Sequence, residues 1–155
     1  MLRLLLISLS FLLVACQSSV TKNEESVAVE DTLERQVLDY NPDNDARPLD
    51  AMIRVKEPAV NGRLMSPASV TGEAVGAWYF EGSFPVVLLG SEGEVLVESF
   101  ATADGDWMQE GFVPFTAELE FSVAAPVEGY LELLLDNPAG DEGMDRSISI
   151  PVTIR

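Results

Sequence analysis

Residues 77–100 read AWYFEGSFPVVLLGSEGEVLVESF, and this stretch decides the fold class. Side chains in a β-strand alternate between two faces. Trp78 and Phe80 are therefore predicted to share one face, while Tyr79 points to the other. The acidic Ser-Glu-Gly-Glu stretch at 91–94 favours a tight turn, because its glycine tolerates a positive φ. The sequence thus predicts a β-hairpin between residues 77 and 100.

The chain from residue 52 onward repeats this strand pattern. Two apolar rows are clear: Phe115, Ala117, Leu119 and Phe121, and then Ile148, Ile150, Val152 and Ile154. Pro114 and Pro151 lack an amide hydrogen, so Pro114 is predicted at a strand start or an edge, and Pro151 at an edge or a bulge. About seven strands without a sustained helical period predict an all-β, immunoglobulin-like antiparallel β-sandwich over residues 52–155. A six- or eight-stranded barrel is the alternative.

The composition excludes several classes of function. The 155 residues include 26 acidic and 9 basic ones, which gives a net charge of -17. Contacts with nucleic-acid phosphates need Lys and Arg, so a nucleic-acid partner is not expected. The chain has no His, which removes the commonest general base and the commonest metal ligand. We therefore predict a domain that is not an enzyme and needs no cofactor.

The N-terminus carries an export signal. Arg3 precedes an apolar run of 12 residues at 4–15, which is shorter than the about 20 residues that span a bilayer but fits a secretory signal peptide. The run ends in Leu-Val-Ala-Cys at 13–16, which resembles the lipobox of bacterial lipoproteins. That resemblance implies cleavage after residue 15 and attachment of lipid to Cys16, the only cysteine.

The lipobox predicts a cellular location as well as a covalent modification. Acyl chains on Cys16 would hold the protein to a lipid bilayer on the extracytoplasmic side of the cell envelope. In bacteria with two membranes we expect the outer membrane, and in bacteria with one membrane its outer face. Residues 1–15 are thus the predicted signal peptide.

Residues 16–51 are predicted to be the lipidated N-terminus followed by a flexible, disordered tether. They are polar and acidic, and Pro42 and Pro48 interrupt their second half. Apolar residues at helical spacing within 28–39 indicate a short helix, which in isolation would be transient.

Several segments resemble the Gmad2 family, the immunoglobulin-like domain of bacterial spore germination. Among them are SP at 66–67, VTGEA at 70–74, WYFEGSF at 78–84, GYLEL at 129–133 and IPV at 150–152. The resemblance covers residues 52–155. It implies an immunoglobulin-like fold, a binding or assembly role at the bacterial surface and a link to spore germination. It brings no catalytic residues with it.

One acidic loop is a candidate calcium site. Asp136, Asn137, Asp141, Glu142 and Asp145 lie in a Gly-containing stretch, and Ca²⁺ takes six to eight oxygen ligands. Their spacing differs from that of an EF-hand, and a solvated loop is the simpler interpretation. A calcium site here would make the chain a calcium-dependent, adhesin-like or structural envelope domain.

Three aromatic or apolar residues are candidates for contact with a partner protein. Trp107 and Met108 follow the Asp-Gly-Asp stretch at 104–106, and Tyr79 is predicted on the outer face of its strand. Exposed, Trp107 and Met108 would form an apolar patch with an acidic rim, and Tyr79 would be a similar, separate contact point; alternatively, Trp107 folds back onto the domain. We therefore predict a lipid-anchored module that binds or assembles with an envelope protein. An accessory structural lipoprotein or a protease-inhibitor-like sandwich would also be compatible with the sequence.

Overall fold

The computed structural model describes residues 36–41, 46–140 and 145–155, which contain nine β-strands. These are β1 (Leu38–Tyr40), β2 (Ile53–Glu57), β3 (Gly62–Leu64), β4 (Ala68–Val75), β5 (Ser83–Gly90), β6 (Val95–Ala103), β7 (Phe112–Leu119), β8 (Val127–Leu134) and β9 (Ser147–Ile154). Two short 3-10 helices, Leu49–Ala51 and Gly76–Trp78, precede β2 and β5. In this part of the chain no helix has the length and apolar character needed to cross a membrane.

The strands form one curled sheet. Hydrogen-bonded neighbours follow the order β1-β9-β8-β5-β6-β7-β4-β2, and β3 adds to β9 as the one parallel pair. β6 and β7 pair only through Thr102–Thr116 and Ala103–Phe115. The sheet turns over at this short junction, so its two halves face each other across a core. The described strands leave the sheet open between β1 and β2, which argues for the sandwich over the barrel.

The interior is held by aromatic rings from both halves. Phe84 on β5 meets Phe115 on β7 edge-on, with ring centroids 5.0 Å apart. These strands are not neighbours in the sheet, so the contact crosses the interior. Trp78 is fully buried in the same core cluster. The predicted apolar rows at 115–121 and 148–154 also belong to this core. The all-β, immunoglobulin-like fold predicted from the sequence is confirmed.

The indole N–H of Trp78 is the one buried side-chain polar group in the described residues that lacks a hydrogen-bond partner. Leaving such a donor unpaired costs about 1–3 kcal/mol. The ring nevertheless stays fully buried, because the apolar contacts of a large aromatic side chain outweigh that cost.

The predicted hairpin is present, but its first strand begins later. β5 starts at Ser83, and the 3-10 helix at Gly76–Trp78 breaks the two-residue period before it. Trp78 and Tyr79 are both buried although they are adjacent, and Phe80 is 46% exposed. The prediction that Tyr79 points outward, with Phe80 on the face of Trp78, is therefore wrong.

The two strand prolines are accommodated in different ways. Pro114 is the third residue of β7, an inner strand, so the predicted strand start or edge is wrong. Its carbonyl accepts a hydrogen bond from the Asp104 amide at 2.8 Å. In a β-strand the N–H and C=O of one residue point toward the same neighbouring strand. The side of Pro114 that lacks an N–H therefore faces the position where pairing with β6 has already ended. Pro151 lies on β9 between the residues paired with β1 and those paired with β3.

Folded structure begins before residue 52. β1 lies within the predicted tether and pairs with β9. Arg146 is 5% exposed, and its Nη2 contacts Oδ2 of Asp39 at 2.9 Å. A second donor, Nη1, bonds the Arg47 carbonyl at 2.8 Å. Residues 1–35, with Cys16 and most of the predicted 28–39 helix, lie outside the described residues.

We expect Gly72→Ala to destabilise the domain by about 1–3 kcal/mol, because the added methyl has no room. A Cβ at Gly72 would overlap the carbonyl oxygen of Arg54 and approach Cζ of Phe115 to 2.6 Å. Gly90→Ala is the matched control, since the three atoms nearest to its Cβ would all belong to the flexible Glu94 carboxylate. Urea unfolding measures both. Equal stability of the two variants would contradict the assigned packing.

Candidate binding site

An open groove of about 700 Å³ lies where three segments of the domain meet. The segments are the turn ahead of β5 (residues 75–77 and 79–80), the β6–β7 loop (residues 107–111) and the β8–β9 loop (residues 136–139). Apolar side chains form most of its wall. A concave site of this size with a few polar groups is typical of ligand and partner sites.

Two glycines let the β6–β7 loop close against the turn. A Cβ at Gly76 would come within 2.5 Å of the Trp107 carbonyl oxygen. Gly82 has a φ of +80°, and a Cβ there would lie 3.1 Å from Cδ1 of the Trp107 indole. The ring of Trp107 thus packs over bare backbone and is half-buried, so the alternative that this residue folds back onto the domain is partly correct.

Two apolar side chains remain exposed at the groove. Oδ1 of Asp106 accepts a hydrogen bond from the Met108 amide at 3.0 Å, which fixes the turn that presents Met108 to solvent. Met108 is 76% exposed and Phe80 is 46% exposed. Flexible methionines and exposed aromatic rings are common at surfaces that bind protein segments.

The β8–β9 loop forms the third wall. The Asp136 amide donates to the Trp78 carbonyl at 3.2 Å, which ties this loop to the turn. Nδ2 of Asn137 donates to Oδ1 of Asp145 at 3.0 Å and so links the two ends of the loop. Burial raises the pKa of the Asp136 carboxyl above its usual range, because removal of water disfavours the charged form.

Tyr79 supports the groove from inside. Its hydroxyl donates to the Val113 carbonyl at 2.8 Å, and its ring packs on Phe84 with centroids 5.2 Å apart. Burial raises the pKa of Tyr79 to about 12, the backbone hydrogen bond from Ala74 opposes the shift, and the charge of Asp104 adds to it. Tyr79 therefore holds the turn in place rather than presenting an exposed ring.

The structure brings together candidates that are far apart in the sequence. Trp107 and Met108, named as contact residues, share the groove with Tyr79 and with Asp136, which was named as a calcium ligand. Sequence reasoning missed Phe80 as a binding residue because it assigned that side chain to the core. The signal in the sequence was Gly82, because glycine favours turns. In the structure Glu81 and Gly82 both have a positive φ, and the strand begins after them.

The calcium interpretation stays a prediction. In residues 36–41, 46–140 and 145–155 no three acidic, His or Cys side chains are grouped as metal ligands. Asp141 and Glu142 lie outside this range, and Asp145 bonds Asn137.

A second groove, of about 530 Å³, lies over β2, β4 and β7. Four of its polar side chains bond in pairs: Arg54 pairs with Glu73 at 2.9 Å, and Oγ1 of Thr116 donates to Asp104 at 2.9 Å. These internal bonds leave it less suited to a partner than the groove that contains Met108.

The curled antiparallel sheet and its aromatic core define an immunoglobulin-like domain. The sequence profile of Gmad2, described as the immunoglobulin-like domain of bacterial spore germination, matches residues 52–142. The chain belongs to the Gmad2 family. Searches of curated proteins and of solved structures found no match to this chain.

We expect the stability of the domain to fall as the pH rises from 10 toward 12, because the unfolded Tyr79 loses its proton while the folded one keeps it. Between about pH 9 and about pH 11 the wild type should lose about 1–1.5 kcal/mol more than Tyr79→Phe, whose ring cannot ionise. Urea unfolding at both pH values measures the difference. Parallel losses in the two proteins would show that Tyr79 is not held protonated by the fold.

Proposed function

We propose that this chain is a non-enzymatic, lipid-anchored protein of the bacterial cell envelope. Its immunoglobulin-like domain binds or assembles with another envelope protein through the groove that contains Met108. Membership of the Gmad2 family supports a germination-related role, and the Cys16 pattern supports the anchor.

The exposed apolar side chains of the groove carry the proposal. Monomeric domains rarely present apolar residues around a concave site unless something binds there. Phe80 and Met108 are presented by ordered turns, which the Phe80–Ser83 bridge and the Asp106 hydrogen bond hold. A site held open in this way loses little conformational entropy on binding, which favours recognition of a partner.

The proposed anchor is tested by labelling growing bacteria with a fatty-acid analogue. The wild-type chain should become labelled and enter the membrane fraction, because Cys16 carries the lipid. Cys16→Ala removes the only thiol and should abolish both the labelling and the recovery in the membrane fraction. Labelling that persists in Cys16→Ala would contradict the assignment of this residue.

The proposed binding surface is tested by placing a photo-crosslinking residue at position 108 in intact cells. Capture of one defined envelope protein is expected, because this side chain is 76% exposed at the groove. Position 65 is the matched control, because Met65 is 66% exposed and precedes β4. The other end of β4, Val75, lines the groove and lies about 25 Å away along the strand.

Phe80→Ser should lower capture from position 108, since it removes a neighbouring apolar contact. The same proteins captured from positions 65 and 108, or none from position 108, would overturn the groove as the binding surface.

A further inference from the structure

The charges of this chain are sharply segregated along the sequence. Between Arg63 and Arg146 every charged residue is Asp or Glu, and this segment contains β4 to β8. The basic residues of the described part lie outside the segment: Arg47, Arg54, Lys56, Arg63, Arg146 and Arg155. Within the part of the chain that the structure describes, positive charge is therefore confined to β2, β3, β9 and their flanks.

The groove that contains Met108 is built wholly from the acid-only segment, because its lining runs from residue 75 to residue 139. Glu110 and Asp136 place two carboxylates in its wall, and none of the described residues that line it is cationic. Asp136 is partly buried and is not bonded through its carboxylate to any Lys or Arg among the described residues. A carboxylate that has lost part of its water favours an opposite charge brought by a ligand.

We propose that the occupant of this groove is a segment of a partner protein that carries Arg or Lys. This inference rests on the proposed function. The cationic side chain contacts the exposed part of the Trp107 or Phe80 ring and pairs with Asp136 or Glu110. Apolar residues next to this cationic residue in the partner segment cover Met108.

The domain already contains this kind of contact elsewhere. The guanidinium carbon of Arg54 lies 3.9 Å from the centre of the Phe112 ring, and its Nη1 bonds Glu73 at 2.9 Å. A guanidinium thus packs on a ring while it pairs with a carboxylate. Trp107 and Asp136 offer an incoming cation the same two groups, and indole is the preferred ring for such a contact.

The charge pattern also determines how the complex forms. A groove in an acid-only region attracts a basic segment over about one Debye length and repels acidic ones, so the charges favour association and specificity. Screening by salt should therefore weaken binding.

The test selects ligands from a library of random heptapeptides displayed on phage. The full chain in detergent is the target, and the Phe80→Ser, Met108→Ser double variant removes peptides that bind elsewhere. Selected peptides should carry Arg or Lys beside an apolar residue. In NMR spectra of the full chain with labelled methionine methyls, such a peptide should shift Met108 and leave Met65 unchanged.

Charge variants then separate electrostatic from apolar binding. Asp136→Asn should weaken the selected peptide about threefold to fivefold. Glu92→Gln is the matched control and should leave affinity unchanged, because this exposed residue follows β5 at the end opposite the groove. Replacement of the peptide arginine by neutral citrulline should weaken binding at least as much as Asp136→Asn.

Three outcomes overturn the inference: selected peptides without Arg or Lys, no selected peptide at all, or equal binding by the citrulline peptide. In each of these cases specific crosslinking from position 108 leaves the proposed function standing. If specific crosslinking from position 108 is also lost, the inference and the proposed function are both overturned.

Discussion

β6 belongs to both halves of the sheet, and the core depends on that. Residues 95–102 pair with β5, while the end of the strand, Thr102 and Ala103, pairs with β7. This junction brings Phe84 and Phe115 to edge-on contact across the interior. The only cysteine is Cys16, so no intrachain disulfide braces the two halves. Backbone continuity through β6 and apolar burial hold the two halves of the sheet together. The loop that follows β6 places Trp107 and Met108 at the groove.

Alternating strands were predictable from the sequence because their period reports burial directly. The rows at 115–121 and 148–154 needed no knowledge of their neighbours. The turn before β5 was not predictable in this way, since a single 3-10 turn has no period, and Tyr79 suits either face because it has an apolar ring and a polar hydroxyl. β1 was missed for another reason: three exposed residues carry little signal, and their pairing depends on Arg146 at the far end of the chain.

The candidate site was predictable only in pieces. Trp107 and Met108 stood out beside an acidic loop, but the sequence holds no measure of their distance from Phe80 or Asp136. Those distances follow from the curl of the sheet, which brings three loop segments to one end. The acid-only stretch is visible in the sequence too, yet its meaning depends on the fold. Only the fold shows that the groove is lined by residues of that stretch, while the basic residues of the described ranges lie outside it.

The attachment of β1 has a mechanical consequence. A force that pulls on the chain before Leu38 would act first on the pairing of Leu38 with Ser149. It would act next on the ion pair between Asp39 and Arg146. Once β1 has detached, residues 38–51 can extend to a total length of at most about 45–50 Å. Met52 is fully buried and β2 is paired with β4, so the core would stay closed. A domain tethered through its N-terminus would thereby lengthen under load without unfolding.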